Sequence, residues 1–291
     1  MVRVHRSDSE MIMKMKVLAQ LYFTRAPLCL RRPDCTDFVA GGPEYKGGLN
    51  NTMAAVGSLI DLTITPWGNA RQAPVTKTWE CQHGIGECMG NTIEACVFHL
   101  YPEQEQRWAF ALAYEGVAHK CNRTSPGTYP VDAAKAIVDA QGLDWSSISG
   151  CFGSFDANGM PPKHSLGYAL GQVAATTTNA LNPKHTGVPW VTMGAGSSAP
   201  PVPDKSIHFP ELVCVVCNAY TGKAPKPSAC SSCAAPPKPV DCFDKFKTKA
   251  TCDANPACTW CTSGAVPAAC NTLADARSLP PGVFTCDKKL L

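Results

Sequence analysis

The sequence has few charged residues and no long apolar segment. Of its 291 residues, 17% are charged and the formal net charge is +3, whereas soluble domains typically carry about 25% charged residues. So small and dispersed a charge argues against nucleic-acid binding. No apolar run approaches the roughly 20 residues that cross a bilayer, so no membrane span is predicted.

The beginning of the sequence also lacks a signal-peptide core. Residues 1–16 are polar and charged, and Lys14 and Lys16 interrupt the apolar segment 11–23. A secretory leader needs an apolar stretch of about 7–15 residues. Because the cysteine content points to an oxidising compartment, we expect a leader upstream of Met1; the alternative is that the protein is not secreted.

Cysteine, in contrast, is abundant and unevenly distributed. The chain has 17 cysteines, and ten of them lie in residues 214–291. This number indicates disulfides and a secretory or endolysosomal location rather than a reducing cytosol. Two sequons, at Asn50 and Asn122, are candidate N-glycosylation sites and fit the same route.

The most specific motif occupies residues 81–96, where three cysteines lie at i, i+7 and i+15 and Gln-His-Gly follows the first. This motif resembles the signature Cys-Gln-His-Gly-x2-Glu-Cys-x2-Asn-x4-Cys of the gamma-interferon-inducible lysosomal thiol reductase family. The signature residues are Cys81, Gln82, His83, Gly84, Glu87, Cys88, Asn91 and Cys96.

The family resemblance implies an α/β, thioredoxin-like fold with a helical insertion. The segments Val17–Phe23 and Leu59–Thr65 are predicted to be strands, and a helix is expected to begin near Pro33. Helical length and composition predict the insertion and a last helix of the domain. The predicted helices are 86–100, 103–120, 132–141, 164–181 and 210–220.

Composition divides the chain. We expect a non-core segment 1–15, a reductase domain 16–233, a proline-rich linker 234–241 and a disulfide-rich module 242–291. The run Asn255–Cys261 resembles the cysteine-rich plexin–semaphorin–integrin type of module. Its six cysteines allow fifteen pairings, and the sequence does not choose among them.

The expected catalytic pair is Cys29 and Cys35. In the family a Cys-x-x-Cys motif follows the first strand, and deleting Leu30–Arg32 here restores Cys-Pro-Asp-Cys. A helix N-terminus stabilises the thiolate that attacks a substrate disulfide, and the second thiol resolves the mixed disulfide. The resemblance also implies that Pro189, in a loop that resembles the family's cis-proline loop, helps to present the substrate chain.

The three-residue insertion leaves three interpretations open. A disulfide needs Cα atoms about 4.4–6.8 Å apart, but positions i and i+6 of a helix are at least ~9 Å apart. Residues 30–32 therefore loop out, placing Arg31 and Arg32 beside Cys29, or the coding sequence contains an error over a normal motif, or the site has degenerated to Cys35 alone.

Structural roles are expected for the signature. Cys88 and Cys96 are expected to bridge to other segments. His83 is interpreted as a hydrogen-bonding residue in a tight turn, with a general base or a metal ligand as alternatives, and Gln82, Glu87 and Asn91 are expected to bond backbone groups around that turn.

Cys214, Cys217, Cys230 and Cys233 approach zinc-ribbon spacing, but the apolar Val215–Val216 between the first two and oxidising conditions favour disulfides. The sequence therefore predicts no metal at these four cysteines. The mechanism that the resemblance implies needs no cofactor, only a redox dithiol recharged by an external thiol.

The resemblance implies a thiol oxidoreductase that reduces disulfides in protein substrates within an acidic endolysosomal or secretory compartment. The alternative is a secreted, disulfide-rich binding or structural protein that kept the fold and lost the chemistry. The interrupted Cys-x-x-Cys and the appended module motivate that alternative.

Overall fold

A computed structural model of the chain describes residues 13–19, 37–42, 45–118, 129–194, 197–234, 241–280 and 282–287, and the structural statements below concern these residues. The chain divides into two compact units, residues 1–234 and 235–291. Each unit is described by itself.

A three-stranded sheet with the order β2-β1-β5 lies in the first unit. β1 (Met13–Ala19) and β2 (Ile60–Pro66) are parallel, and β5 (Trp190–Met193) is antiparallel to β1. Parallel neighbours need a long crossover connection, and residues 20–59 provide it. A two-stranded hairpin, β3 (Arg71–Gln72) and β4 (Trp79–Glu80), follows β2.

The first strand differs from its prediction. It spans Met13–Ala19 rather than Val17–Phe23, so it includes both lysines and begins within the segment 1–15 that was expected to lie outside the core. Backbone pairing with the seven-residue β2 sets these bounds, and hydropathy does not register backbone hydrogen bonds. Residues 20–36, including Pro33, lie outside the described ranges.

Helices dominate the rest of the first unit. Those predicted for the insertion are confirmed within three residues at each end, and the last helix of the domain within one. Short π- and 3₁₀-helical turns at Asp37–Gly41, Gly57–Leu59, Asp204–Ser206 and Ser228–Ser232 connect elements. The α-helices are α1 (Gly48–Val56), α2 (Ile85–Leu100), α3 (Gln104–Ala118), α4 (Tyr129–Ala140), α5 (Trp145–Phe152), α6 (Leu166–Asn179) and α7 (Glu211–Ala219).

Helix α5 was not predicted. Three serines and a glycine among its eight residues give it a weak intrinsic helix propensity. Its N-terminus is capped by Asp144, whose carboxylate accepts the Ser146 N–H at 2.9 Å. Ile148 and Phe152 are buried in the helical core. Packing and capping therefore stabilise a helix that propensity alone does not indicate.

The first unit has two large apolar cores. One covers the sheet, where Leu62 of β2 is buried together with Leu49 of α1 and Leu212 of α7. The other lies within the helical insertion and includes Phe110 and Tyr114, both 0% exposed. The insertion thus buries its apolar helix faces largely against one another, which explains how it folds beside a small sheet.

The second unit is built around disulfides. Its strands β6 (Cys258–Ser263), β7 (Ala269–Thr272) and β8 (Phe284–Cys286) form an antiparallel sheet with the order β7-β6-β8. Short helices α8 (Cys242–Lys245), α9 (Lys249–Asp253) and α10 (Leu273–Ser278) flank the strands. The disulfides are Cys242–Cys258, Cys252–Cys270 and Cys261–Cys286.

The chain is a mixed helix-and-strand protein with a disulfide-rich C-terminal region. None of the helices in the described ranges is both long and apolar enough to cross a bilayer.

Candidate functional site

Three chain segments meet at one end of the sheet in the first unit. Ala19, the last residue of β1, is paired with Pro66, the last residue of β2, and Leu18 is paired with Trp190, the first residue of β5. Pro189, immediately before β5, is buried, and the Val188–Pro189 bond is cis. The structure therefore places Pro189 at the carboxyl end of the two parallel strands.

The predicted dithiol belongs to the segment that follows β1. Cys29 and Cys35 come ten and sixteen residues after Ala19 in the sequence, and both lie outside the described residues, as does the predicted glycosylation site Asn122. The role of Cys29 and Cys35 stays a prediction.

Asn50, the other predicted glycosylation site, lies partly buried in α1. Thr52 of its sequon is fully buried and donates its hydroxyl to the Gly48 carbonyl at 2.5 Å.

The turn after β2 connects this end of the sheet to the signature. Trp67 is buried and contacts Trp79 edge to face, with ring centroids 5.5 Å apart. The Asn69 side-chain amide donates to Gln82 Oε1 at 2.7 Å. Trp79 packs so closely on α6 that a Cβ at Gly171 would lie 2.2 Å from its ring. A side chain at Gly171 would therefore displace the aromatic cluster.

A histidine that the sequence analysis did not assign a role also lies here. His185 is four residues before Pro189, and its ring is hydrogen-bonded to the Gly68 backbone. Burial lowers the pKa of His185, and Lys184 lowers it further, against the opposing effect of that hydrogen bond. Its Nδ1 atom is buried without a hydrogen-bond partner. A neutral imidazole therefore persists to lower pH here than on an exposed histidine.

The signature cysteines form two disulfides, which differ in the sequence separation of the bonded cysteines. Cys96 bridges α2 to Cys151 of α5, which agrees with the expectation that it ties two segments together. Cys88 also bridges to a residue outside α2, as expected, and that residue is Cys81 of the same signature. The chain reverses direction at the start of α2, and this turn brings Cys81 back beside the helix, with a Cα–Cα distance of 5.7 Å.

Glycine and glutamate shape this turn. Gly84 adopts φ 95° and ψ −169°, a conformation that is essentially restricted to glycine. One carboxylate oxygen of Glu87 accepts the His83 backbone N–H at 2.8 Å and contacts His83 Nδ1 at 2.7 Å. Both side chains are buried. This geometry agrees with the interpretation of His83 as a hydrogen-bonding residue in a tight glycine-containing turn.

The other polar signature residues differ from expectation. Gln82 contacts the Asn69 side chain rather than backbone groups of its own turn. Asn91 is 4% exposed, and neither polar atom of its side-chain amide has a hydrogen-bond partner. It lies in α2 one turn beyond Glu87. Of Gln82, Glu87 and Asn91, only Glu87 accepts a backbone N–H of the turn, as was expected.

Two further disulfides close the first unit. Cys214 pairs with Cys233 and Cys217 pairs with Cys230, so the four cysteines with near-zinc-ribbon spacing are disulfide-bonded. Helix α7 places Cys214 and Cys217 one turn apart, and the 3₁₀ turn places their partners beside it. The apolar Val215 and Val216 fit this helix, as the sequence indicated.

A buried pair of carboxyl groups lies between α2 and α3. Glu94 and Glu115 are each 1% exposed. Burial raises the pKa of Glu94 well above its usual value, and the nearby Glu115 raises it further. The sequence gives little signal for this pair, because glutamate is common on the solvent face of helices.

The chain is similar in sequence to known proteins. The family model for gamma interferon inducible lysosomal thiol reductase (GILT) matches residues 30–125. A gamma-interferon-responsive lysosomal thiol protein of Arabidopsis thaliana is 32% identical over 224 residues, covering 75% of this chain and 77% of that protein. The mouse gamma-interferon-inducible lysosomal thiol reductase is 32% identical over 191 residues, covering 65% and 66%. Its Carassius auratus counterpart is 27% identical over 216 residues, covering 74% and 72%.

The similarity extends well beyond the signature, since 75% of the chain aligns with the plant relative. The matched family region also contains the hairpin, the glycine turn and α2. On both grounds the chain belongs to the gamma-interferon-inducible lysosomal thiol reductase family.

Proposed function

We propose that this protein is a thiol oxidoreductase that reduces disulfides in protein substrates, using Cys29 and Cys35, in an acidic endolysosomal or secretory compartment. The observation that carries the proposal is family membership, because the mouse and Carassius auratus relatives are named lysosomal thiol reductases. The abundance of disulfides in the structure supports an oxidising compartment.

The reaction needs only sulfur chemistry. The Cys29 thiolate attacks a substrate disulfide, so that a Cys29–substrate disulfide forms and one substrate thiolate leaves and takes up a proton. The Cys35 thiolate then attacks Cys29 Sγ, the second substrate thiol is released, and a Cys29–Cys35 disulfide remains. Two equivalents of an external thiol return this disulfide to the dithiol and become a disulfide themselves.

The sheet supports a thioredoxin-like arrangement for this chemistry. A parallel β1–β2 pair, an antiparallel β5 and a cis-proline at the start of β5 bring the end of β1 and Pro189 to the same edge. The chain that leaves β1 at this edge carries Cys29. In the proposed function, Pro189 helps to hold the substrate chain beside the dithiol.

An acidic compartment makes activation of Cys29 necessary. An ordinary cysteine has a pKa near ~8.5, so almost none of it is thiolate at acidic pH. In the looped-dithiol interpretation, Arg31 and Arg32 beside Cys29 stabilise the thiolate. The insertion then assists the reaction instead of abolishing it.

Reduction of a denatured disulfide protein at acidic and neutral pH tests the proposal. The proteins compared are wild type, Cys29→Ser, Cys35→Ser and a variant lacking Leu30–Arg32. We expect activity in wild type, a loss of at least 100-fold in Cys29→Ser, and an accumulating mixed disulfide in Cys35→Ser, because the resolving thiol is missing.

The deletion variant separates the alternatives. An inactive wild type with an active deletion variant would reject the looped dithiol and indicate that the insertion abolishes activity. If neither protein reduces the substrate, the proposed enzymatic function is wrong, and the binding or structural protein is favoured instead.

A further inference from the structure

The two disulfides of the signature differ in accessibility. Cys96 is 0% exposed and Cys151 is 5% exposed, so their disulfide is enclosed in the helical core. Cys81 is partly exposed, whereas its partner Cys88 is 1% exposed. Thiol–disulfide exchange requires the attacking sulfur to reach one sulfur of the disulfide. Of these four cysteines, Cys81 is the most exposed, so we expect a small thiol to reach Cys81 and not the Cys96–Cys151 disulfide.

The accessible disulfide also lies towards the end of the sheet that carries Pro189. Cys81 directly follows β4 and packs against a buried cluster that contains Trp67, Trp79 and Cys88. Trp67 is the residue after β2 ends, and Asn69 of the same turn is hydrogen-bonded to Gln82. The disulfide thus borders the turn whose Gly68 backbone contacts the loop before Pro189.

Cys88 is positioned to be the leaving sulfur. It is the fourth residue of the sixteen-residue α2, where the helix dipole and the N–H groups of the first turn offset part of the cost of burying a thiolate. Exchange is faster when the departing thiolate is stabilised. Cys88 Sγ lies 3.9 Å from the Trp79 carbonyl oxygen, which accepts a weak hydrogen bond from Cys88 once that thiol is protonated.

The surrounding fold tolerates an open disulfide. Cys81 and Cys88 are seven residues apart in sequence, whereas Cys96 and Cys151 are 55 apart. A cross-link over a short loop restricts the unfolded chain less, so less stability depends on it. The contact of Glu87 with His83 and the hydrogen bond of Gln82 with Asn69 hold the turn independently of the sulfurs.

We propose that Cys81–Cys88 is a second redox-active disulfide, which exchanges with small-molecule thiols through attack on Cys81. The thiolate of a small thiol bonds to Cys81 Sγ, the Cys81–Cys88 bond breaks, and Cys88 departs as a thiolate that takes up a proton from water. A second small-thiol thiolate attacks the sulfur of the first, which releases Cys81. Two small thiols become one disulfide, and one protein disulfide becomes two thiols.

Redox titration of the full-length, folded protein tests the proposal. The protein is equilibrated in glutathione buffers of graded reducing strength, its thiols are trapped by acid quenching and alkylation, and the cysteine peptides are quantified by mass spectrometry. The Cys96–Cys151 disulfide is the internal control. We expect an equilibrium constant for reduction of Cys81–Cys88 at least tenfold larger, which is about 30 mV for a two-electron couple. Equal constants, or reduction only together with Cys96–Cys151, would overturn the proposal.

The same titration on a Cys29→Ser/Cys35→Ser variant separates this inference from the proposed function. Cys81–Cys88 should open equally well, because small thiols attack it directly. Opening that disappears in this variant would show that the disulfide does not exchange with small thiols, and the inference would be wrong even if the protein reduces substrates.

Two single variants test which sulfur is attacked. With oxidised glutathione, Cys88→Ser should form a glutathione adduct at Cys81 at least ten times faster than Cys81→Ser forms one at Cys88, because only Cys81 is accessible. Circular dichroism verifies that both variants are folded before rates are compared. If either variant is unfolded, the same comparison of adduct formation at Cys81 and Cys88 is made on partly reduced wild type. Equal rates, or a faster reaction at Cys88, would contradict attack on Cys81.

Discussion

The two units of the chain bury different kinds of side chain. The first encloses aliphatic and aromatic side chains in two large cores, and its disulfides reinforce helices that already pack on one another. The buried cluster of the second consists of Cys242, Cys252, Cys258 and Cys270. A module of fewer than about 70 residues rarely buries enough apolar area to fold on that basis alone. Its disulfides therefore replace a core instead of supplementing one.

Removing one disulfide from each unit should break this comparison most clearly. Cys214–Cys233 and Cys252–Cys270 span 19 and 18 residues, so the chain-entropy model assigns both about 3 kcal/mol. We expect the Cys252→Ser/Cys270→Ser variant to lose amide protection throughout β6 and β7, because it also loses half of the buried cluster. The Cys214→Ser/Cys233→Ser variant should keep its protected helices, with a free energy of unfolding lower by about 3 kcal/mol.

Hydrogen–deuterium exchange of the full chain, read peptide by peptide, measures both outcomes. Retained protection of β6 and β7 in the first variant would show that the module has an adequate core without that disulfide. Global exchange in the second variant would show that the first unit depends on its disulfides as strongly as the module does.

Replacing one phenylalanine by alanine in each unit tests the same difference between an apolar core and a disulfide-held module. Phe110 is 0% exposed in the helical core of the first unit, whereas Phe243 of the module is 60% exposed. Phe110→Ala should lower the free energy of unfolding by about 3–5 kcal/mol, and the matched Phe243→Ala should change it by less than about 0.5 kcal/mol. Chemical denaturation followed by tryptophan fluorescence measures both. Comparable losses would mean that the module depends on apolar contacts after all.

Sequence reasoning succeeded where the signal is local. The insertion helices were predicted because their length and composition are typical of helices, and Gly84 and Glu87 were placed in a tight turn because the signature singles them out. Helix α5 was missed because its serines and glycine conceal it. It forms because Asp144 caps its N-terminus and because Ile148 is buried in the helical core. Intrinsic helix propensity takes neither effect into account.

Cysteine pairing was predictable only in part. The apolar Val215 and Val216 between Cys214 and Cys217 indicated disulfides, but the pairing depends on the path of the chain through the 3₁₀ turn. The pairing of Cys81 with Cys88 required the reversal at Gly84, a backbone conformation that spacing does not encode. His185 was assigned no role, because its contact with Gly68 joins residues 117 positions apart in sequence.

A further expected effect concerns pH and again separates the units. Among the described residues, the first unit buries Glu94 and Glu115, whereas the module buries no aspartate or glutamate. Burial raises the pKa of Glu94 in the folded state above its unfolded value. The folded protein therefore keeps this proton to a higher pH than the unfolded chain does. Its contribution to the free energy of unfolding is fully present below the pKa of Glu94 in the unfolded chain. This contribution is lost as the pH rises towards the pKa of Glu94 in the folded protein.

The variant Glu94→Gln removes this titration. Wild type should lose stability relative to the variant between pH 4 and pH 7, by at most about 1.4 kcal/mol per pH unit, so the difference between them should widen as the pH rises. Glu80→Gln, at an exposed position of β4, is the matched control and should differ from wild type by the same amount at every pH. Urea unfolding at pH 4, 5.5 and 7 measures the three proteins. If the free energies of unfolding of wild type and Glu94→Gln change in parallel with pH, the pKa of Glu94 is not raised. Acidification would then not stabilise the first unit through Glu94, and this difference from the module would disappear.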